Sequence, residues 1–345
     1  DIYAHFGFTE SKRFDIQNAQ LELQKLDSFK TPVRQMLYRP FDEKFIFYDK
    51  SLVHSMSRPI SDSMLEKDNL ALLATRQVTR PQFEHVFVSK STIEIKACSH
   101  DRNTQMFPLF IKSKSEDNSL FNEKIANFDH KTIKNISETM KMKFNDLESS
   151  IDSKNNFTPT SLFRYIYSIL HSPEYRERYY DFLRSDFPKI PITHKQDLFL
   201  KLANIGDKLI NLHTVNVDEI PISIPKFIGS NRKIDNIGWT KDNGGTLWLD
   251  GKGTSKNYEK GINGFNPVPK EVWEFQIGGY QVCKKWLKDR SPNKNKQGRN
   301  LDQKELEHFQ NTIGAINHTI KIMPEIDKII QKHGGWPIAF ANARD

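Results

Sequence analysis

The chain has 345 residues and a formal charge of +8, enough length for two compact units or one large unit with appendages. Hydrophobic residues make up 37% and aromatics 11%, with 24 phenylalanines, so a real core can form. A mean hydropathy of −0.64 and the lack of any long uncharged apolar run exclude a transmembrane helix.

Residues 1–35 read as an amphipathic lead-in from a preceding domain. The start, DIYAHFGFTESKRFDIQ, is charged throughout, shows no signal-peptide pattern and lacks a methionine, which suggests a piece of a longer protein. From Val33 to Val88 the pattern is strand-like. In MLYRPFDEKFIFYDK apolar and polar residues alternate around a turn placed at Asp42-Glu43, which predicts a β-hairpin. HVFVSKSTIEIKACS predicts a further strand pair and MFPLFIK one more strand. KSKSEDNSLFNEKIANFDHKT is polar and reads as a surface loop or insertion.

Helices follow. Thr158-Pro159-Thr160 opens one, and Ser172-Pro173-Glu174 restarts the next with an N-cap, a proline and an early acid. That second helix, YRERYYDFLRSDF, stops before Pro188 and Pro191. QDLFLKLANIGDKLINLH keeps Leu198, Leu202, Ile205, Leu209 and Leu212 on one face. After the proline-rich connection IPISIPKF, KIDNIGWTKDNGGTLWLDGKG predicts a hairpin with Asn243-Gly244 in its turn. A long amphipathic helix with Phe309, Ile313, Ile316, Ile320 and Met323 closes the chain, with a kink expected near Pro324. The order predicts an α+β fold, strand-rich at the N-terminus, helical in the middle, with a hairpin and helices at the C-terminus. The expected divisions are the lead-in (1–35), a core of strands then helices (36–215) and a C-terminal hairpin and helical subdomain (216–345).

Several enzyme signals fail on their spacing. NGGTLWLDGKGTS resembles a phosphate-binding loop, but counting from Gly245 the second glycine position holds Asp250, which repels phosphate. Glu94 and Lys96 in IEIK are spaced as in some Mg²⁺-dependent nucleases, yet the required second acid has no evident source and an alternating solvent face explains them. No histidines stand at metal-ligand spacing, and two cysteines, Cys98 and Cys283, make neither a disulfide framework nor a zinc site. The expected setting is a reducing cytoplasm, with no metal site. FNPVP at Phe265–Pro269 approaches the Asn-Pro-Pro-aromatic tetrad of amino-methylating DNA methyltransferases, but Val268 and Pro269 remove the third and fourth members. No catalytic residues are expected.

The basic balance permits a polyanionic partner. Lysine-rich, asparagine-rich composition of the kind an AT-rich genome produces accounts for it equally. More specific is ATRQVTRPQ (Ala74–Gln82), which groups Arg76, Gln77, Arg80 and Gln82 beside a stiffening proline. Arginine and glutamine are the side chains that read guanine and adenine edges bidentately. Arg39 and Arg58 join them as candidates at or near bases, with Tyr48 and Lys90 in support. A second tract, Lys284, Lys285, Lys288, Arg290, Lys294, Lys296 and Arg299, suits phosphates better. Solvated surface is the bland reading of both tracts.

YRPFDEKFIFYD, NLALLATRQ, MFPLFIK, YIYSILHSPEYRERYYDFLRSDFPKIPIT and VWEFQIGGYQVCKKWLKDR, in that order, resemble the C-terminal region of Type ISP restriction-modification enzymes. The resemblance runs from about Tyr38 to the final helix. It implies a target-recognition module whose parent joins a nuclease, a helicase-like ATPase and an N6-adenine methyltransferase. S-adenosylmethionine, ATP and Mg²⁺ then belong to the parent, with no cofactor in this segment. The partners it implies are double-stranded DNA and the methyltransferase domain of the same chain, with no membrane. An interdomain docking module that binds DNA only together with that domain is the alternative. Within Tyr165–Thr193, Ile166, Ile169 and Leu170 are expected to face Tyr179, Phe182 and Leu183. Arg176, Arg178 and Arg184 are expected to pair with Glu174, Glu177 and Asp181.

Overall fold

The computed structural model describes residues 15–25, 33–49, 52–53, 58–65, 68–112, 124–146, 155–215, 225–254, 256–292 and 299–341. The strand-rich part runs α1 (Ile16–Gln24), β1 (Val33–Arg39), β2 (Asp42–Phe47), α2 (Arg58–Ser61), β3 (Ala71–Ala74), β4 (Val86–Ser89), β5 (Thr92–Ile93), β6 (Gln105–Pro108), β7 (Phe110–Lys112) and β8 (Lys124–Ala126). The middle comprises α3 (His130–Met140), β9 (Lys143–Phe144), β10 (Asn156–Phe157), α4 (Pro159–His171), α5 (Pro173–Arg178), α6 (Tyr180–Ser185) and α7 (Gln196–His213). The last part holds β11 (Lys226–Ile228), β12 (Gly238–Thr240), β13 (Thr246–Trp248), β14 (Gly264–Asn266), α8 (Lys270–Glu274), β15 (Gln276–Ile277), β16 (Tyr280–Gln281), α9 (Val282–Lys288) and α10 (Gln303–Lys332). The fold is α+β with several small sheets, as the sequence predicts.

Local chemistry explains the helix starts. Thr158 and Ser161 form a capping box at α4, and the Ser172 hydroxyl accepts from the Tyr175 amide at 3.0 Å to start α5. At the β12–β13 turn Asn243 and Gly244 adopt φ of 53° and 81°, the left-handed region that asparagine and glycine tolerate.

The sheet β4–β3–β6 lies between two hydrophobic cores, and strand alternation sorts its residues between them. Val86 and Val88 enter one core with α4 and α7, while Phe87, Ala71 and Leu73 enter the other with β13, β14 and α9. Burial on both faces is why VFVS reads as a continuous apolar run. The helix α10 serves both cores, with Phe309, Ile313 and Ile316 in one and Ile326 and Ile330 in the other. It continues through Pro324 as one helix.

Several expectations are corrected. The β1–β2 turn is at Pro40–Phe41, because Phe41 takes φ 60° to bury its ring and Asp42 is already paired with Arg39 as the first residue of β2. HVFVSKSTIEIKACS contains two strands that do not pair with each other: β4 joins β3, and β5 lies parallel to β1. The Ser89 hydroxyl, bonded to the carbonyl and amide of Ser91 at 2.8 and 3.0 Å, turns the chain between them. MFPLFIK is split between β6 and β7, which belong to different sheets. In the polar stretch after it, residues 113–123 lie outside the described residues, and β8 pairs with β7. YRERYYDFLRSDF breaks at Tyr179 into α5 and α6. Phe182 is 70% exposed rather than facing α4.

Candidate nucleic-acid interface

The strands β3, β4 and β6 bring two loops to one end of their sheet. Ala74 pairs with both Val86 and Gln105, so the connection 75–85 leaves and the connection 94–104 arrives at that end. Residues 75–85 are pinned at alternate points. Val78 is buried and its amide donates to the Arg184 carbonyl at 3.1 Å; the Tyr180 hydroxyl donates to the Arg80 carbonyl at 3.1 Å. Phe83 and His85 are buried farther along. Arg76, Gln77, Thr79 and Gln82 between these anchors are exposed. Arg76 Nε donates to Asp186 Oδ1 at 3.0 Å. The helix α6 and its exit are therefore the frame of this loop.

The Tyr165–Thr193 stretch is scaffold elsewhere too. The buried Tyr165 and Tyr175 donate their hydroxyls to the carbonyls of Pro191 and Lys189 at 2.7 and 2.8 Å, holding the extended exit in place. Among the described residues, its arginines do not form the expected acidic pairs. Arg176 Nε donates to the Leu170 carbonyl at 2.6 Å, and Arg184 lies 5.3 Å from the Tyr180 ring centre. Burial pulls the Arg176 guanidinium down to about 10, against the opposing pull of Glu84, whose own carboxyl burial raises.

The second loop is organised by its own polar groups. Lys96 Nζ donates to the Asp101 carbonyl at 3.1 Å and to Asn103 Oδ1 at 3.2 Å, and the Ser99 hydroxyl donates to Asp101 Oδ1 at 3.1 Å. The Thr79 hydroxyl also donates to Asp101, tying the two loops together. Burial pushes the Asp101 carboxyl up, but these two hydroxyl donors, together with His100 and a backbone hydrogen bond, hold it below its usual value. Arg76, Gln77, Asp101, Arg102, Asn103 and Gln105 line the open cleft of 370 Å³ between the loops.

The β15–β16 hairpin extends the surface. Its turn, Gly278-Gly279, has φ of 58° and 81°, and a Cβ on Gly278 would lie 2.0 Å from the Cys98 carbonyl oxygen. Arg80 Nη2 donates to Gln276 Oε1 at 2.9 Å, and the Tyr280 hydroxyl donates to the Lys96 carbonyl at 3.1 Å. Beyond Tyr280 comes Arg39, paired with Glu94 and 5.2 Å from the Tyr280 ring centre.

Three cations then converge on one aromatic ring. Lys44 Nζ, Arg39 Cζ and Lys285 Nζ lie 3.6, 3.9 and 5.5 Å from the centre of Tyr38. Partial burial lowers the pKa of Lys44; Asp42 and Asp289 oppose the fall, while Arg290 and Lys285 add to it. Lys285 also binds both oxygens of Asp289 at 2.5 Å, and Lys284 and Lys288 make no ion pair among the described residues. This end of the surface is cation-rich and suits phosphate, whereas the cleft at Gln77 is richer in amides.

The structure thus brings Arg76, Gln77, Arg80, Arg39 and Lys285 onto one continuous surface. Gln82 is exposed on the same connection as Arg76. Lys90 is elsewhere: it follows β4 at the opposite end of the sheet and lines a separate cavity with Gln35, Glu43 and Lys304. Tyr48 donates its hydroxyl to Asp62 at 3.1 Å, and Arg58 begins α2 with its side chain outside the described residues. In the second basic tract, Arg290 is buried against Asp42 and Glu305, Arg299 pairs with Glu305, and Lys294 and Lys296 lie outside the described residues. Glu94 is held by Arg39 and by the Lys96 amide at 2.9 Å, so the spacing of IEIK serves the loop itself. Among the described residues no group of three or more His, Cys, Asp or Glu is arranged to hold a metal, and no helix is long and apolar enough to cross a membrane. Sequence reasoning missed Tyr38, Lys44, Arg102, Asn103, Gln105 and Tyr280; the aromatic-basic alternation of YRPFDEK was the one available signal for the first two.

Solved structures share the fold. The ATP-dependent Type ISP restriction-modification enzyme LlaBIII bound to DNA superposes with a TM-score of 0.65 at 15% identity, over 92% of this chain and 20% of that one. A nuclease-deletion mutant of the Type ISP enzyme LlaGI, in complex with a DNA substrate mimic, gives 0.56 at 17% identity, over 86% and 21%. The DrdV–DNA complex gives 0.63 at 17% identity, over 96% and 31%. The chain thus spans a fifth to a third of those chains. No curated protein matches it. Residues 7–325 match the Type ISP C-terminal specificity domain, and the chain belongs to that family.

Proposed function

We propose that this chain is a sequence-specific double-stranded DNA recognition module of a bacterial restriction-modification enzyme. The observation that carries the reading is the single surface on which loop 75–85, presenting Arg76 and Gln77, continues through Arg80 and Tyr280 into the cations around Tyr38. Amides and guanidiniums at one end suit base edges; lysines at the other suit phosphates and set the register. Arg80 and Arg39, already held by Gln276 and Glu94, brace the surface between them. DNA-bound Type ISP enzymes of the same fold support the assignment.

In this reading the segment has no catalytic residues and no cofactor of its own. The parent is an adenine-specific DNA methyltransferase with ATPase and endonuclease activities, supplied by S-adenosylmethionine, ATP and Mg²⁺ in other domains of a cytoplasmic protein. Fluorescence anisotropy against a pool of random duplexes at two salt concentrations tests it. Binding that weakens steeply with salt, with one sequence enriched among retained duplexes, is the expected result. An absence of binding at low salt overturns it.

A second reading has its own observation. An apolar groove of 350 Å³ lies on the helical side, lined by Leu72, Phe107, Phe163, Ile166 and Phe187, with Phe107 40% exposed. Such a groove suits docking on the methyltransferase domain, which would then complete the DNA cleft.

A further inference from the structure

We infer that Arg102, Asn103 and Gln105 form a second base-reading element, facing Gln77 across the cleft between the two loops. This rests on the DNA-recognition reading above and names side chains beyond the 75–85 connection.

The Ser99–Thr104 turn is held by its own hydrogen bonds. Beyond the bonds to Asp101, the Arg102 amide donates to the Ser99 hydroxyl at 3.1 Å, and the Cys98 amide donates to the Thr104 hydroxyl at 2.9 Å. The Thr104 amide closes the loop on the Ile95 carbonyl at 2.8 Å. The Tyr280 hydroxyl is also 3.4 Å from the Ser99 carbonyl. A turn fixed by this many bonds loses little freedom when it meets a partner, which favours affinity.

Most of the polar groups it displays have no partner among the described residues. Arg102, Asn103 and Gln105 are exposed, and no partner is seen for the Arg102 guanidinium, the Asn103 Nδ2 or the Gln105 amide among the described residues. Asn103 Oδ1 accepts from Lys96, which orients the amide and leaves Oδ1 a second lone pair. Gln105 opens β6 opposite Ala74, the residue from which the 75–85 connection departs.

Charge decides what this cleft takes. Arg76 is paired with Asp186, and the Asp101 carboxylate shares the cleft lining with Arg102, so acids stand among the guanidiniums. Phosphate gains little there. Neutral base edges, with paired donors and acceptors, match the Arg102 guanidinium and the three amides of Gln77, Asn103 and Gln105, and purines in the major groove are the bases these groups read.

The test is selection from random duplexes by the 345-residue chain and its Arg102→Ala, Asn103→Ala and Gln105→Ala variants, with Lys288→Ala as a phosphate-side control. At least one of the three variants is expected to lose about 5- to 150-fold in affinity for the selected sequence, confined to one base pair. Its binding to random DNA and its salt dependence stay as in the parent. Lys288→Ala weakens all sequences alike. If all three variants select the unaltered sequence with unaltered affinity, the inference fails while the DNA-recognition reading stands. If the parent chain selects no sequence, both fail. Among the described residues the Arg102 and Gln105 side chains have no hydrogen-bond or ion-pair partners to lose, so their variants decide the matter even if Asn103→Ala loosens the turn.

Discussion

Arg290 meets Asp42 across 248 positions of chain: its Nη2 donates to Oδ1 at 2.9 Å, and Asp42 is 1% exposed. The guanidinium also donates to Glu305 at 2.9 Å and stacks 3.5 Å from the centre of the Trp286 ring. This buried pair joins the β1–β2 hairpin to α9 and α10. Arg290→Met strands the Asp42 carboxylate away from water and is expected to cost about 3–5 kcal/mol. Urea unfolding should show a lower midpoint at an unchanged slope. Replacing both partners, as Asp42→Leu with Arg290→Met, should recover most of the loss. A cost below about 1 kcal/mol for the single change would mean that the pair is solvent-screened.

Stability should fall as pH drops from about 6.5 towards about 4. Burial lowers His85 to about 4 and His213 to about 3, with His171 well below its usual value. These histidines stay neutral when folded, so unfolding takes up protons as soon as the pH falls below the ordinary histidine value. Each contributes a slope of up to about 1.4 kcal/mol per pH unit across that window, ending where the folded form also protonates. Glu84 and Asp327, raised by burial, act in the opposite sense. His213 Nδ1 lies 2.5 Å from the Tyr167 hydroxyl and Nε2 lies 2.9 Å from that of Thr319. His213→Gln should remove about one proton from the uptake, read from urea midpoints at pH about 7.5 and about 5. An unchanged pH dependence would refute the assignment.

Gly278→Ala tests the hairpin that bridges the two ends of the interface. The new Cβ would meet backbone at Cys98 in a left-handed conformation, so a loss above about 1 kcal/mol is expected. DNA affinity should fall with it, because Gln276 and Tyr280 hold Arg80 and the Lys96 loop. Undiminished binding in a destabilised Gly278→Ala chain would separate the hairpin from recognition.

Lys44→Ala and Lys288→Ala should each weaken binding to every duplex alike and reduce the salt slope by about 1. Gln77→Ala should leave the slope alone and cost about 1–3 kcal/mol at one base pair. The reverse pattern would exchange the assignments.

Where structure follows from neighbouring residues, the sequence was legible. The caps at Thr158 and Ser172 and the turn at Asn243-Gly244 depend only on nearby backbone, and each is found where it was expected. Strand partners were not legible, since β5 beside β1 and Gln105 opposite Ala74 depend on contacts far along the chain. The site divides in the same way. Arg76 and Gln77 announced themselves by residue type, whereas SHDRNTQ reads as an ordinary polar turn until β6 sets it against Gln77. Lys90 and Arg76 flank the same strands in sequence, and only the antiparallel register shows that they stand at opposite ends.

The helix α10 has a consequence for how the protein is made. Its residues close both cores, yet a ribosome synthesises it after every loop that forms the surface. A nascent or truncated chain that lacks it carries all the side chains proposed to read bases without the frame that spaces them. On the proposed assignment, transplanting specificity between such proteins therefore favours replacing side chains within residues 75–85 and 94–104 over cutting the chain near its middle, where the cut would divide both cores.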